Sequence, residues 1–277
     1  MKVAYQGIKG AYSEAAIYKH FGKDAETAGY ELSEEAFEAV MDGKADYGLL
    51  PFDNTIAGSV AVNYDLLIKK DAYVIAEVFL NISHSLLSNK GSKIEDIKSV
   101  YSHPHALEQC REFIRNHKLK AVPEYDTAGA ARIVKERNKN DEAAIAPEFC
   151  ASIYGLNILA KDIQTNKNNI TKFLVFVKSD KIPENTGKEK TSIAFKTKHY
   201  PGALISCLQR LAKHNVNLTK LESRPVPENP WEYVFYADFD GGHQTPYRLA
   251  LPLPSRHSCL HRHNKPSFHY HASALLF

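Results

Sequence analysis

The chain has 277 residues, of which 44% are hydrophobic and 24% are charged. This length suits two or three domains, and the composition is that of an ordinary globular protein rather than a disordered or fibrous one. No apolar run reaches the roughly 18 to 20 residues that span a bilayer, and the N-terminus enters a strand pattern without the apolar core of a signal peptide. We therefore predict a cytoplasmic protein.

The net charge of +3 originates in the C-terminal segment. Residues 243–277 contain no Asp or Glu but four of the 35 basic residues, which leaves 31 basic against 32 acidic side chains elsewhere, a net charge of −1. A nearly neutral body does not predict the basic stripe of a nucleic-acid-binding protein.

The same segment holds six of the 13 histidines and follows neither helical nor strand periodicity. A histidine-rich metal-binding tract is one interpretation. We favour the other, an aberrant or frameshifted tail at 242–277 that is disordered. The cysteines lack any C-x-x-C pair, so we predict core thiols and neither disulfides nor a metal site. They are Cys110, Cys150, Cys207 and Cys259.

The first 178 residues alternate predicted strands and helices. In chain order we predict a strand at 3–6, helices at 13–21 and 36–41, a strand at 47–50, a helix at 60–67, strands at 73–80, 84–87 and 100–101, helices at 106–116 and 128–137, a strand at 143–146, a helix at 148–154 and a strand at 173–177. This alternation is typical of an α/β architecture with a largely parallel sheet.

The C-terminal part has a different pattern. A charged stretch with Pro183 and Gly187 predicts a linker at 179–190. A strand at 192–195, a helix at 202–214 and strands at 217–223 and 231–239 then form a β-α-β-β unit, the first part of a ferredoxin-like module.

Small polar residues occupy the strand-to-helix turns at 7–13, 51–60, 102–107 and 126–131. Each alone is typical of a helix cap. Ligands of open α/β sheets bind outside the carboxyl ends of the strands, where these turns cluster, and helix N-termini favour anions. The turns together predict a small anionic ligand. The nucleotide-binding glycine patterns are absent, so we predict no nucleotide cofactor.

A further candidate site lies at 169–173, where Thr171 and Lys172 stand side by side at the start of an apolar strand. A hydroxyl next to a fixed cation suits chemistry on an anionic substrate. The edge of a strand explains the same residues without any function.

These segments resemble the prephenate dehydratase family from Lys2 to about Gly241. The family's G-x-x-G-x-[ST]-S pattern resembles 7–13, P-[IF]-[ED]-N-[ST]-x-x-G resembles 51–58, S-H-P-x-A-x-x-Q-C matches 102–110, [DN]-T-A-x-A-A matches 126–131, and N-x-T-R-F corresponds to 169–173. The segments 202–204 and 222–225 resemble the G-A-L and E-S-R-P motifs of the family's ACT regulatory domain.

The resemblance implies a catalytic domain at 1–178 with two lobes like a type II periplasmic binding protein. Lobe 1 would comprise about 1–77 and 160–178, and lobe 2 about 78–159. A partial ACT domain would follow at 191–241. The implied activity converts prephenate to phenylpyruvate without a cofactor, in phenylalanine biosynthesis. A homodimer or homotetramer is expected of the family.

The resemblance also implies roles for individual residues. Thr171 would donate a proton to the leaving hydroxyl. The other catalytic residues would be Lys172, Asn54, Asp53 and Ser102. Substrate binding would involve Ser13, Thr55, His105, Thr127, Ala128, Asn169 and Phe173. The phenylalanine effector would contact Gly202, Ala203, Leu204, Leu221, Glu222, Ser223, Arg224 and Pro225.

Several positions depart from the family pattern. Lys172 replaces an arginine, which removes bidentate carboxylate binding but keeps the charge. Asp53 stands where Glu is commoner, and His105 where many members have Gln. After Gly241 the last helix and strand of the ACT domain are replaced by the tail, so we expect an open sheet edge, weaker dimerisation and loss of phenylalanine inhibition.

Two alternative functions remain open from the sequence. An arogenate dehydratase would use the same fold and motifs on a substrate with an amine on its side chain. A non-catalytic protein that binds aromatic metabolites could share the same two-lobed cleft.

Overall fold

A computed structural model describes residues 1–69, 72–178, 190–197, 200–226, 229–240 and 272–276. The chain divides into two compact units, the first made of Met1–Leu66 and Ala76–Lys178, the second of Leu67–Ile75 and Ser179–Phe277. The predicted linker falls outside the described residues except for Lys190, which begins a strand.

The elements are, in chain order, β1 (Lys2–Gln6), α1 (Tyr12–Phe21), β2 (Glu26–Tyr30), α2 (Ser33–Met41), β3 (Tyr47–Asn54), β4 (Gly58–Ser59), α3 (Ala61–Lys69), β5 (Ala72–Asn81), β6 (Ser85–Ser88), a 3-10 turn (Ile94–Asp96), β7 (Ser99–Ser102), α4 (Pro104–Gln109), α5 (Arg111–Asn116), β8 (Lys120–Pro123), α6 (Thr127–Arg137), β9 (Glu142–Ala146), α7 (Cys150–Tyr154), β10 (Asn157–Ala160), β11 (Ile170–Lys178), β12 (Lys190–Lys196), α8 (Ala203–Lys213), β13 (Leu218–Val226), β14 (Asn229–Asp240) and β15 (Ala272–Leu276).

The first sheet has the strand order β2-β1-β3-β11-β5, with β4 paired to β3. Strand β1 pairs parallel with β2 and β3, whereas β11 pairs antiparallel with β3. Phe37 of α2 stacks on Phe176 of β11 with ring centroids 4.4 Å apart. The apolar stretch of β11 is buried, and this fixes the strand that carries Thr171 at its start.

The second sheet has the order β10-β6-β9-β7-β8. Strand β7 pairs parallel with β8 and β9, but β6 pairs antiparallel with β9 and β10. Alanines of α6 and β9 pack on one side of the sheet, and larger side chains such as Ile145 and Ile114 pack on the other. Both sheets are therefore mixed, and the expectation of a largely parallel sheet is wrong because the returning strands β6, β10 and β11 run antiparallel to their neighbours.

Three local predictions also need correction. Strands β2 and β10 are absent from the predicted set. Strand β3 continues through Pro51 to Asn54, where a tight turn is predicted, and Pro51 is tolerated because it lies next to an irregularity in the pairing with β11. The predicted helix at 106–116 is two helices, because Cys110 has φ −104° and ψ 13° and interrupts the helical backbone.

The second unit contains an antiparallel sheet in the order β13-β14-β12-β15. Ile193, Phe195 and Phe239 of this sheet form a core with Cys207 and Leu211 of α8. This arrangement is the strand order of a ferredoxin-like fold.

The tail supplies the last strand of this sheet. Strand β15 pairs antiparallel with β12, from Thr191 opposite Leu276 to Phe195 opposite Ala272. The expected open edge beside β12 is therefore wrong, because backbone pairing needs no particular side-chain pattern. The rest of the tail, with its histidine-rich tract and Cys259, lies outside the described residues. The other three cysteines are buried, as predicted.

Candidate active site

Thr171 and Asn54 face each other across strands β11 and β3. The Asn54 side-chain nitrogen Nδ2 donates to Thr171 Oγ1 at 2.9 Å and to Asn169 Oδ1 at 2.7 Å. Thr171 is 8% exposed and Asn169 only 1%. The structure thus brings three of the predicted site residues into one hydrogen-bonded cluster beside the end of the first sheet.

The direction of these hydrogen bonds follows from the turn after β3. Asn54 Oδ1 accepts from the backbone N–H of Ile56 at 2.9 Å and of Ala57 at 2.8 Å. A backbone N–H only donates, so this atom must be the amide oxygen, and the amide nitrogen must face Thr171. Thr171 Oγ1 is then an acceptor, and among the described residues its own proton has no recorded acceptor. The hydroxyl proton is available to a ligand.

A chain of polar side chains continues behind this cluster. Asn169 Nδ2 donates to Gln109 Oε1 at 3.0 Å, and the same oxygen lies 2.8 Å from His84 Nε2. His84 Nδ1 lies 2.8 Å from the Tyr12 hydroxyl. This series of hydrogen-bonded side chains therefore runs from the first sheet to the end of α4, which follows β7 of the second sheet, and then to the start of α1.

Sequence reasoning missed these three residues as site members. Gln109 lies in the motif at 102–110 and Tyr12 in the segment 7–13. His84 begins the predicted strand at 84–87, where a histidine is more often structural than catalytic. Motif membership was the available signal for Gln109 and Tyr12, but only the fold shows that the three residues meet.

Lys172 lies on the other side of the sheet from Thr171, because successive residues of a strand point to opposite faces. Its Nζ is 2.7 Å from Asp53 Oδ2 and 3.8 Å from Glu77 Oε1. Asp53 also accepts from Ser59 Oγ at 2.8 Å and from the Tyr64 hydroxyl at 2.7 Å. Lys172 and Asp53 therefore form a polar cluster separate from the one that contains Thr171.

Ser102, Thr127 and His105 lie at the carboxyl ends of β7 and β8. Ser102 is fully buried and its hydroxyl donates to the Ile145 carbonyl at 2.5 Å. Thr127 is the first residue of α6, which the Asp126 carboxylate caps by accepting from Gly129 N at 2.6 Å. Within the described ranges, no hydrogen bond joins any of the three to Thr171.

His105 is exposed and stacks on His103 with ring centroids 5.3 Å apart. Burial lowers the pKa of His103, and the neighbouring His105 adds to this lowering. His103 Nδ1 accepts from the His105 backbone N–H at 3.2 Å, so His103 caps α4.

The remaining predicted substrate-binding residues have different surroundings. Thr55 donates to the Asn168 carbonyl at 2.9 Å and accepts from Ile170 N at 3.0 Å, which holds the turn before β11. Ala128 and Phe173 are buried, and Ala128 belongs to the apolar cluster packed on the second sheet. Ser13 lies in the first turn of α1 and is 7% exposed.

Gly10 lets the start of α1 approach the second sheet's helices. It has φ +98°, and a Cβ there would lie 2.8 Å from Cys150 Sγ and 3.4 Å from Ala128 Cβ. The Cys150 thiol donates to the Gly10 carbonyl at 3.1 Å, and burial raises the pKa of this thiol to about 12. The N-termini of α1 and α6 are thereby close, and both favour a negative charge.

In the second unit, the residues predicted to bind an effector lie on β13 and at the start of α8. Gly202 is the N-cap of α8 with φ 87°, and Leu204 packs against the core. Glu222 forms an ion pair with Lys220 at 3.3 Å. Leu221 is 43% exposed. Ala203 is buried, Arg224 is partly buried, and Ser223 and Pro225 are exposed.

No three His, Cys, Asp or Glu side chains in the described part of the chain are arranged to hold a metal ion. No helix among the same residues is both long and apolar enough to cross a bilayer.

The family model described as "Prephenate dehydratase" matches residues 3–181. The chain belongs to the prephenate dehydratase family. It is 42% identical over 249 residues to arogenate dehydratase/prephenate dehydratase 2, chloroplastic, of Arabidopsis thaliana, with 87% of this chain and 65% of the plant protein covered. The chain therefore spans about two-thirds of that relative's length.

Two solved structures are similar over most of the chain. The prephenate dehydratase of Arthrobacter aurescens in complex with L-Phe has a TM-score of 0.79 and 31% identity, covering 88% of this chain and 82% of that one. A protein described as a novel type of quorum quenching acylase has a TM-score of 0.82 and 31% identity, covering 91% and 92%. The predicted fold class is confirmed.

Proposed function

We propose that this chain removes CO₂ and water from prephenate to form phenylpyruvate. In this reaction the electrons of the bond to the ring carboxylate move into the ring, CO₂ leaves, and the ring hydroxyl departs from the opposite carbon. A proton supplied to the departing oxygen completes the water molecule. Aromatisation provides the driving force, so the enzyme has to bind two carboxylates and assist one leaving group.

The observation that carries the proposal is the orientation of the Thr171 hydroxyl. Because Asn54 Nδ2 can only donate to Thr171 Oγ1, the threonine keeps its own proton for another acceptor, and no hydrogen bond from it to a described residue is present. A positioned proton donor accelerates such a step by about 10²- to 10⁴-fold. A threonine is a weak acid, so it acts by a hydrogen bond that strengthens as charge builds on the departing oxygen.

The substrate carboxylates would be held by the converging starts of α1 and α6, with Ser13 and Thr127 as hydroxyl partners. Ser102 is fully buried and gives its proton to the Ile145 carbonyl, so its role is to join neighbouring strands. Helix N-termini offer unpaired amides and the positive end of the helix dipole. Lys172 has a different role in this proposal: its ion pair with Asp53 links neighbouring strands and keeps Asn54 opposite Thr171.

An acylase reaction, suggested by the name of one structural neighbour, fits this site less well. A hydroxyl nucleophile needs a base that accepts its proton. The neighbour of Thr171 Oγ1 is an amide N–H donor, which cannot accept a proton. A non-catalytic binder would have no need for a donor held in this orientation.

Arogenate is the second candidate substrate, because the Arabidopsis relative carries both activities in its name. The two substrates differ only in the side chain, where arogenate has an amine and prephenate a keto group. The cluster around Thr171 faces the shared leaving hydroxyl and does not distinguish them.

We also propose that the second unit binds L-phenylalanine as an effector and that the protein acts in the cytoplasm. The supporting observations are the named L-Phe complex of the similar Arthrobacter structure and the presence of the predicted residues at the start of α8 and on β13. Calorimetric titration with phenylalanine, with Glu222→Ala as the variant, tests this. No binding to the wild-type chain would remove the effector role.

The function itself is tested by incubating the wild-type chain with prephenate and, separately, with arogenate. Phenylpyruvate is measured by its ultraviolet absorbance and phenylalanine by chromatography. We expect turnover of at least one substrate and a collapse of turnover in Thr171→Ala. A folded wild-type chain that converts neither substrate would contradict the proposal.

A further inference from the structure

We propose that His84 is a positioning residue for the dehydration, which fixes the amide orientations of Gln109 and Asn169 through the hydrogen on its Nε2. The inference rests on the proposed function, since it concerns how the Thr171 proton is kept available. His84 is 2% exposed and lies three hydrogen bonds behind Asn54.

The argument starts at the backbone amides of Ile56 and Ala57, which fix Asn54 Oδ1 as their acceptor and Nδ2 as the outward donor. The Asn169 atom that receives this donor must be Oδ1, so Asn169 presents Nδ2 to Gln109. The Gln109 atom that receives Nδ2 must in turn be Oε1.

A carbonyl oxygen cannot donate, so the 2.8 Å contact between Gln109 Oε1 and His84 Nε2 requires a hydrogen on Nε2. The tautomer of His84 is therefore set by a sequence of bonds that begins at two backbone amides. The neutral ring carries its hydrogen on Nε2 and leaves Nδ1 as the acceptor.

The other ring nitrogen meets the Tyr12 hydroxyl, which also lies 2.6 Å from the Ser83 carbonyl. Burial raises the pKa of Tyr12 well above its ordinary value, so the hydroxyl keeps its proton. Burial also lowers the pKa of His84, which favours the neutral ring. The Tyr12 hydroxyl has one hydrogen, and in the Nε2–H tautomer of His84 it shares that hydrogen between the Ser83 carbonyl and Nδ1. The contact with Gln109, and not Tyr12, therefore sets the tautomer.

Without the Nε2–H donor, the bond from Asn169 Nδ2 is the one described contact that still favours the observed orientation of the Gln109 amide, so reversal of this amide costs less. A reversed Gln109 would present its NH₂ to the Asn169 NH₂, and Asn169 would turn to avoid two facing donors. Its NH₂ would then face Asn54 Nδ2, whose orientation the backbone fixes. The result would be a disordered cluster around Thr171 in an intact fold.

Two substitutions distinguish the roles of the two ring nitrogens of His84. In His84→Gln the side-chain amide reaches the position of Nε2 and can still donate to Gln109. In His84→Asn the shorter amide reaches only the position of Nδ1, so it can still meet Tyr12 but cannot donate to Gln109. Both variants remove the ring and keep a polar amide, so each is a matched control for the other.

We expect kcat for the turned-over substrate to fall about tenfold in His84→Asn, the equivalent of about 1.4 kcal/mol, with KM within about twofold of wild type. His84→Gln should keep kcat within about threefold. Equal kcat values for the two variants would overturn the inference. Thr171→Ala is assayed alongside. A collapse of kcat in Thr171→Ala together with an unchanged kcat in His84→Asn would support the proposed function and reject the role of His84.

Nitrogen-15 NMR of the wild-type imidazole at neutral pH gives a test that needs no active or stable variant. We expect His84 to carry its hydrogen on Nε2 and to have an unprotonated Nδ1. A His84 ring protonated only on Nδ1 would overturn the inference, even if the chain turned over neither substrate.

Discussion

Asn54→Asp is the substitution that most sharply alters the proposed proton donor. The carboxylate keeps one oxygen in place to accept from the backbone amides of Ile56 and Ala57. Its second oxygen replaces the Nδ2 donor and faces Thr171 Oγ1, 2.9 Å away. The Thr171 hydroxyl would then donate to this carboxylate, and its proton would no longer be available to the leaving group.

The magnitude follows from the loss of one positioned donor. A general acid contributes about 10²- to 10⁴-fold, so we expect kcat at pH 7 to fall within that range, or by about 2.7 to 5.4 kcal/mol of transition-state stabilisation. The fold should be less affected. The three hydrogen bonds of Asn54 Nδ2 are lost or reversed, each worth about 0.5 to 1.5 kcal/mol.

The pH dependence of kcat in Asn54→Asp shows whether the loss comes from the charged form of the new carboxyl group. A protonated carboxyl group can donate to Thr171 Oγ1 as the native amide does, so the variant should recover rate relative to wild type as the pH falls toward the carboxyl pKa. The assay is phenylpyruvate formation between pH 5 and 8. Asn168→Asp is the control. Asn168 is exposed and lies next to Asn169, so this substitution adds the same charge outside the hydrogen-bonded cluster. Near wild-type kcat in Asn54→Asp, or an equal loss in Asn168→Asp, would refute the reasoning.

Two further predictions concern stability, and a third concerns association between molecules. Lys172→Met leaves the partly buried carboxylates of Asp53 and Glu77 without this cation. Urea unfolding should show a loss of about 1 to 3 kcal/mol, between the values for exposed and fully buried pairs; unchanged stability would contradict the structural role of this pair. Burial lowers the pKa of His84, so the contribution of His84 to stability is full above the unfolded-state pKa and is lost as the pH falls through the folded pKa. The wild-type chain should therefore lose more stability than His84→Gln on acidification below about pH 6.5. Equal losses of the two proteins in thermal melts would argue against this. Deleting 272–277 removes β15 and exposes the edge of β12, so light scattering should show concentration-dependent association; an unchanged mass at all concentrations would contradict the pairing.

Short apolar runs and amphipathic segments were enough to predict most of the first unit. The strands at 47–50 and 173–177 follow from apolar runs and the helix at 128–137 from its amphipathic pattern, and the structure has elements there. Strands β2 and β10 were missed because they are edge strands with weak apolar patterns, such as Glu26–Tyr30 with two exposed positions. An edge strand pairs with one neighbouring strand only, and its sequence has a weaker apolar pattern than that of a central strand.

Part of the candidate site was readable from the sequence. Asn54, Asn169 and Thr171 were singled out, and they meet in one cluster. The sequence did not separate Thr171 from Lys172, because the predicted strand begins at residue 173. Strand β11 begins at Ile170, so the alternation of side chains places the two residues on opposite faces. The links through Gln109 and His84 join residues more than 20 positions apart, so they depend on tertiary structure.

The central claim is that the hydroxyl of Thr171 assists the departure of the substrate's ring hydroxyl. The most direct test is kcat on prephenate for Thr171→Val, which keeps the shape without the hydroxyl, beside Thr171→Ser, which keeps the hydroxyl. We predict that the valine variant loses about 10²- to 10⁴-fold while the serine variant stays within about tenfold of wild type. A folded Thr171→Val with wild-type turnover would contradict the claim.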